Sequence, residues 1–285
     1  MMMDQLQFFK QHTLGLQSNP DFYEEKVNAA FLYYHATRIQ TIFFDLETSP
    51  ACETPHPNAN SDSIIEIGAI SCGDRQYTAL CNPGHPIHTT FVNGITDQHV
   101  AEKPETHDVV KDFMMWVEPD PTLHDVTVLI AHNAANFDLK VLRSHILKYN
   151  LTVNSNIIVA DSLYIAQKLS GAPSGKLEVI YKHLFPNEEY TEKHRALDDS
   201  CDLEKIMNHL ASSQNKSVTD MLTNYMYPLL SNIKPFDKVF LNVSYDSKLV
   251  AKKLGARWDA VKRLWYAPDE KSLAELKKHY DVVVS

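Results

Sequence analysis

The chain has 285 residues, of which 44% are hydrophobic and 22% charged, ordinary values for a globular protein with a sizeable core. Only 8 glycines are present, and no uncharged apolar stretch approaches ~18 residues, which argues against collagen-like, Gly-rich disordered and membrane-spanning helical classes. The net charge of −9 is unevenly spread. From Lys234 to Ser285 there are 11 lysines and arginines against 7 acidic residues, a balance of +4, which leaves 16 basic and 29 acidic groups, or −13, on the other 233 residues.

The start, Met1-Met2-Met3-Asp4-Gln5-Leu6, lacks a basic stretch followed by an apolar run, so secretion is not expected. Cys52, Cys72, Cys81 and Cys201 form no C-x-x-C pair. They are expected to be free thiols of a reducing compartment, cytoplasmic or nuclear.

Residues 1–38 are expected to form an N-terminal helical extension, with Phe22 to Tyr34 rich in helix formers and packed on the body. Gln40 to Leu46 is a short apolar, β-prone run, the pattern of a strand buried on both faces. A Pro- and Asn-rich loop follows to Asp62, then strands over Ile64 to Cys72 and Gln76 to Cys81, with Gly73-Asp74 in the turn between them. Residues 82–105 are expected to be mostly loop and short helix. Helices are expected over Thr106–Val117, Phe137–Tyr149, Ser162–Leu169, Leu177–Leu184 and Arg195–Leu210, with strands over Val126–Ala131 and Asn156–Ala160. Strands alternating with helices predict a three-layer α/β domain with a mixed sheet over 39–211. Residues 212–235 are expected to be a linker containing some helix, Val218 to Leu230. A small α+β module is expected over 236–285: a strand at Phe240–Val243, a helix at Ser247–Leu254 stopped by Gly255, a turn after Trp258-Asp259, a strand at Leu264–Ala267 and a terminal helix at Lys271–Tyr280.

Three clusters carry chemistry. Asp45 and Glu47 stand two apart at a strand end, so both carboxylates point to one face. Two such carboxylates repel unless a cation lies between them, and hard divalent cations prefer oxygen ligands. The bland alternative is a solvated strand end. His132 to Asp138 links an apolar strand to a helix, where α/β sheets place ligands. Asp138 there is equally explained as a favourable charge at a helix N-terminus. The third cluster is His194-Arg195-Ala196-Leu197-Asp198-Asp199. Five helical steps rotate a side chain by ~140°, so His194 belongs on the preceding loop and Asp199 on the helix. The alternatives are a surface histidine and a solvated acidic face for Asp198, Asp199 and Asp202.

In order and spacing the three clusters together resemble the DnaQ-like 3′–5′ exonucleases of the DEDDh type, within the RNase H-like superfamily. Phe44-Asp45-Leu46-Glu47-Thr48 resembles the first exonuclease motif, His132-Asn133 through Asp138 the second, and His194 with Asp199 the third. Glu66-Ile67-Gly68, Asn82-Pro83-Gly84, Asn93-Gly94-Ile95-Thr96-Asp97 and Asp161-Ser162 are similar to intervening segments, and the resemblance spans about 39–211. The six steps from His132 to Asp138, and the run Lys176 to Phe185, are similar to the three-prime repair exonuclease branch. The long loop Ser49–Ser63 departs from compact members; it either touches substrate or is a disordered insertion.

The resemblance implies two-metal hydrolysis of phosphodiesters with 3′→5′ release of mononucleotides. Asp45 would bridge two Mg²⁺ ions (with Mn²⁺ a substitute), Glu47 and Asp199 would complete the site of the nucleophile's metal, and Asp138 would hold the second. His194 would be the general base. Leu46 and Thr48, around Glu47, would meet the 3′ nucleotide, and Asn133 its sugar or phosphate. The substrate would be nucleic acid with a free 3′ end, DNA ahead of RNA, with no membrane. An exoribonuclease using the same site and a catalytically silent binding protein are the rivals.

The C-terminal residues Leu241-Asn242-Val243, Leu254-Gly255-Ala256-Arg257-Trp258-Asp259 and Leu264-Trp265-Tyr266-Ala267-Pro268 resemble a small uncharacterised domain appended to plasmid, phage and viral replication proteins. Basic residues beside aromatics suit a nucleic-acid backbone and stacked bases, which makes Lys252, Lys253, Lys262 and Arg263 candidates for a phosphate patch. A replication or repair partner is the other candidate for this module. The plain alternative for Trp258 and Trp265 is that both are core.

Overall fold

Runs of Ile, Val, Phe and Leu form strands wherever both faces of a sheet need covering, and the fold is organised by that requirement. The computed structural model describes residues 29–30, 32–52, 58–59, 61–71, 75–190, 194–230, 239–259, 262–267 and 270–283. The expected extension before residue 29, the Gly73-Asp74 turn, part of the 49–63 loop, residues 231–238 and Pro268 lie outside them. The chain divides into two units, 1–230 and 231–285.

The first unit is built on β1 (Ile39–Ser49), β2 (Ser63–Ser71), β3 (Arg75–Leu80), β4 (Val126–Ala131), β5 (Ile157–Asp161) and β6 (Met226–Pro228), in the order β3-β2-β1-β4-β5-β6. β1, β4 and β5 are parallel, whereas β2, β3 and β6 run antiparallel to their neighbours. Every residue of β4 and β5 is buried, as their unbroken apolar sequences require. Alternate residues feed two cores. Ile42, Phe44, Leu129 and Val159 pack with α1 (Thr106–Trp116) and α2 (Asp138–Lys148). Phe43, Val128, Ile130 and Ile158 pack with α3 (Leu163–Ser170), α4 (Leu177–Leu184) and α5 (Ala196–Gln214). The result is the expected three-layer α/β domain with a mixed sheet. The described helical residues of the N-terminal extension pack on the second core through Ala29 and Tyr33, whose hydroxyl lies 3.0 Å from Thr219 Oγ1.

The expected linker over 212–235 is corrected. α5 runs on to Gln214, α6 (Val218–Leu222) buries Leu222, and Met226–Pro228 pairs with β5 as the sixth strand. Proline cannot donate to a ladder, and an edge strand is where that costs nothing. Arg143 of α2 seals this edge, donating to Pro228 O at 2.7 Å and to Leu229 O at 2.9 Å.

The second unit comprises β7 (Val239–Leu241), α7 (Lys248–Lys253), β8 (Arg257–Asp259), β9 (Leu264–Ala267) and α8 (Glu270–Leu276), with the sheet ordered β7-β9-β8. The turn expected after Trp258-Asp259 is present at Lys262-Arg263; the strand Arg257–Asp259 that precedes it was not expected. Leu241, Ala251, Ala256, Ala267 and Leu276 are its buried centre. No described helix is long and apolar enough to cross a membrane, and the three described cysteines, Cys52, Cys81 and Cys201, form no disulfide with one another.

Candidate active site

Strand alternation near the end of β1 separates two sets of side chains. Phe44 and Leu46 enter the core, and Asp45 and Glu47 point the other way, half-buried. The β1–β2 register shifts between Glu47 and Thr48, a bulge of the kind that re-aims side chains beside sites. Asp199 arrives from the first turn of α5 and Asp138 is the first residue of α2. Carboxylate oxygens of Asp45, Glu47 and Asp199 lie within 4.8 Å of one another. Asp138 is 2% exposed, and its Oδ1 is buried without a hydrogen-bond partner among the described residues.

Such a cluster resists ionisation. Burial, reinforced by the charges of Asp138, Glu47 and Asp199, pushes the Asp45 carboxyl well above its ordinary range. Burial likewise raises Glu47 to about 7, against the opposing hydrogen bond from Asn93, and Asp138 to about 8. Several carboxylates forced together, one with an orphaned buried oxygen, form the donor set of a hard divalent cation, and the residues fit such an ion.

His194 lies just before α5 and half-buried, as the spacing required, in a left-handed conformation (φ 44°). The neighbouring residue fixes it. Arg195 Nε donates to both oxygens of the buried Glu66 at 3.0 Å, its Nη2 also contacts Glu66 Oε1, and the Ala196 N–H donates to Glu66 Oε2 at 3.1 Å. α5 then lies directly on β2. A Cβ at Gly68 would fall 2.0 Å from Leu197 N and 2.1 Å from Ala196 C, and Ser200 Oγ donates to Gly68 O at 3.1 Å. Glu66 and Gly68 therefore set the height and tilt at which Asp199 enters the site.

Sequence reasoning gave Asn93, the last residue of the short helix Thr90–Asn93, no role in the site. It is buried, and its Nδ2 donates to Glu47 Oε2 at 2.9 Å. Thr89 Oγ1 donates to Thr48 O at 2.8 Å and His88 N–H to Ser49 Oγ at 2.9 Å, so this loop is tied along the end of β1. Its Asn-Gly pair was the available signal; the hydrogen bond to Glu47, 46 positions away, was not. Leu46 and Thr48 are buried at the end of β1, on either side of the half-buried Glu47. Asn133 also takes a left-handed φ of 65°, and its Oδ1 accepts from Asn136 Nδ2 at 2.7 Å, closing the turn before α2. His132 is not gathered with the carboxylates: its Nε2 donates to Gly175 O at 2.6 Å, and burial holds the ring's pKa below its usual value. Lys252, Lys253, Lys262 and Arg263 are exposed residues of the second unit.

Comparison with known proteins agrees with this geometry. The family model described as "Exonuclease" matches residues 42–206, more than half of the chain, and a "Domain of unknown function (DUF5710)" matches residues 238–280. DNA polymerase III subunit epsilon of Buchnera aphidicola (subsp. Acyrthosiphon pisum) is 28% identical over 197 residues, 66% of this chain and 79% of the relative. The chloroplastic/mitochondrial exonuclease DPD1 of Arabidopsis thaliana is 28% identical over 60% of this chain and 57% of its own. The zinc-bound form of E. coli exonuclease I in complex with single-stranded DNA superposes with a TM-score of 0.51 at 17% identity, covering 65% of this chain and 42% of that one. That likeness is one of fold.

Proposed function

The chain belongs to the exonuclease family, and from that premise we propose that it is a metal-dependent 3′→5′ exonuclease that releases nucleoside 5′-monophosphates from DNA. The observation that carries the reading is the convergence of Asp45, Glu47 and Asp199 within 4.8 Å. Asp45, Glu47 and Asp199 would hold one divalent cation, with Asp45 shared and Asp138 completing a second position. The all-oxygen donor set favours Mg²⁺, with Mn²⁺ able to replace it. When bound, the ions neutralise charge on the phosphoryl group and activate the attacking water.

The protein's own residues do the rest. His194 accepts the water's proton on an imidazole nitrogen, from a loop position that the Arg195–Glu66 pair fixes. Asn93 fixes the Glu47 carboxylate by holding Oε2. The backbone over Leu46–Thr48 seats the 3′ nucleotide, and Asn133 shapes the turn beside Asp138.

The test uses 3′- and 5′-labelled DNA and RNA oligonucleotides with Mg²⁺, comparing the natural chain with Asp199→Ala and His194→Ala. Stepwise shortening from the 3′ end, faster on DNA and lost in Asp199→Ala, is expected. His194→Ala should be slower by about 10²–10⁴-fold. Faster RNA shortening would make it an exoribonuclease. No cleavage with any divalent cation, with binding intact, would leave a silent binding protein.

A further inference from the structure

The second unit has an unused edge with a distinctive composition. In the order β7-β9-β8, the outer side of β7 is occupied by the chain's own end: Val283 N–H donates to Phe240 O at 2.8 Å and Asn242 N–H to Asp281 O at 2.9 Å. No described strand pairs with the outer side of β8. At its centre is Trp258, 49% exposed, set edge-to-face against Trp265 at 5.5 Å. The two indoles have different settings. Trp265 packs on the buried centre of the unit, and Trp258 stands outside it.

Cations bracket this strand. α7 ends in a tight reversal, with Ala256 N–H donating to Ala251 O at 2.9 Å and Gly255 N–H to Lys252 O at 3.1 Å. Gly255 supplies the left-handed residue (φ 96°) that this turn demands. The chain passes straight from the exposed Lys252 and Lys253 into β8. At the other end, the turn to β9 carries the exposed Lys262 and Arg263. Arg263 precedes Trp265, the register partner of Trp258, by two residues, about 7 Å along a strand. Lys262 Nζ lies 4.5 Å from the centre of the Phe240 ring on β7, and its flexible side chain must swing from that ring to reach the β8 edge. The exposed Tyr245 carries the Lys248 ammonium over its ring at 3.5 Å, at the start of α7.

We propose that the β8 edge is a second, non-catalytic nucleic-acid site, in which Trp258 stacks on a base of a single strand and Lys252, Lys253, Lys262 and Arg263 contact the flanking phosphates. Charge complementarity selects this occupant: the segment from Lys234 is +4 and the rest of the chain −13, so a polyanion is drawn here more strongly than to the rest of the metal-free chain. Aromatic stacking tolerates any base, so the site follows sugar–phosphate strand rather than sequence. It would keep a shortened strand near the protein between cleavage events.

The test is binding of a fluorescent circular single-stranded oligonucleotide to the full chain in EDTA, followed by anisotropy. A circle has no 3′ end, so the outcome is independent of the exonuclease reading. Trp258→Ala should weaken binding roughly tenfold, and Trp258→Phe should retain it. Replacing Lys252, Lys253, Lys262 and Arg263 by Gln should reduce the slope of log affinity against log salt by about 0.7 for each phosphate no longer neutralised. Hydrolysis of a dinucleotide, a substrate with no further strand for a second site to hold, should be unchanged in all of these variants. Circle binding equal in the natural chain, Trp258→Ala and the four-Gln variant would overturn the assignment and leave the edge to a protein strand. Binding that depends on Trp258 in a chain that cleaves nothing would uphold this site and sink the exonuclease alone.

Discussion

The residues proposed to act are half-buried or buried in the first unit and exposed in the second. In the first, carboxylates that repel one another are driven into a region supported by two large cores. In the second, five buried apolar residues form the centre, and the chemistry-bearing side chains stay outside it. A large core can absorb the destabilisation of a buried acidic cluster, and a unit near the lower size limit for independent folding cannot. The contrast predicts that mutations at the first site trade stability against activity, whereas those at the second change binding and leave stability alone.

Asp45→Asn breaks the comparison hardest. It removes a carboxyl whose ionisation is opposed by burial and by the charges of Asp138, Glu47 and Asp199. Hydrolysis should fall about a thousandfold or more, since several kcal/mol of transition-state stabilisation is removed. The metal-free protein should at the same time gain about 0.5–2 kcal/mol of stability. Activity together with thermal melting in EDTA measures both, and a lower melting temperature would show that the cluster is not self-repelling.

The same repulsion gives a pH dependence of known sign. Glu47 and Asp138 titrate at about 7 and about 8 when folded, above their ordinary values of 4.5 and 3.8. Below the ordinary values both states are protonated and the penalty is absent. As pH rises towards the raised values, the unfolded chain has released protons that the folded chain retains, so stability falls across that window. Melting temperature in EDTA should therefore drop from mildly acidic to mildly alkaline pH, and Mg²⁺ should flatten the curve. A flat curve in EDTA would contradict the burial of these groups.

Gly68→Ala comes next. The added methyl meets backbone rather than a flexible side chain, so the first turn of α5 must shift. A cost of about 3 kcal/mol, at the upper end for overpacking, is expected, with activity reduced because His194 and Asp199 move with the turn. Denaturant unfolding beside a hydrolysis assay reads both; an unchanged stability would mean that α5 does not rest on β2 as described.

Gly68 also marks what was legible in the chain and what was not. Apolar runs identified β2, β4 and β5 to within one residue and β1 up to its polar last three residues, because continuous hydrophobicity has few other uses. The two-residue period put Asp45 and Glu47 together, and helix geometry put His194 before α5. β6 was missed because three residues containing a proline make no periodic signal; only the neighbouring β5 turns them into a strand. β8, also three residues long, was missed because so short a run shows no period either. The Glu66–Arg195 pair spans 129 positions and Asn93–Glu47 spans 46, so neither is visible until the sheet brings them together. The orphaned Oδ1 of Asp138 is likewise a property of packing: at a helix N-terminus, sequence alone equally suggests a simple dipole interaction.

The smallest effects separate the two tryptophans of the second unit. Trp265 is half-buried on Leu241 and its neighbours, so Trp265→Ala should cost about 2 kcal/mol, less than the ~3–5 of a fully buried ring. Trp258 sits at the rim, and its edge-to-face packing on Trp265 is the main interaction that truncation removes. Trp258→Ala should therefore change stability by about 0.5–1 kcal/mol while weakening circle binding. Unfolding of this unit, followed in a Trp116→Phe background by the fluorescence of the remaining tryptophan, distinguishes the cases. Equal losses of stability for both variants would make Trp258 a core residue, and the small unit would then resemble the large one in burying what it needs most.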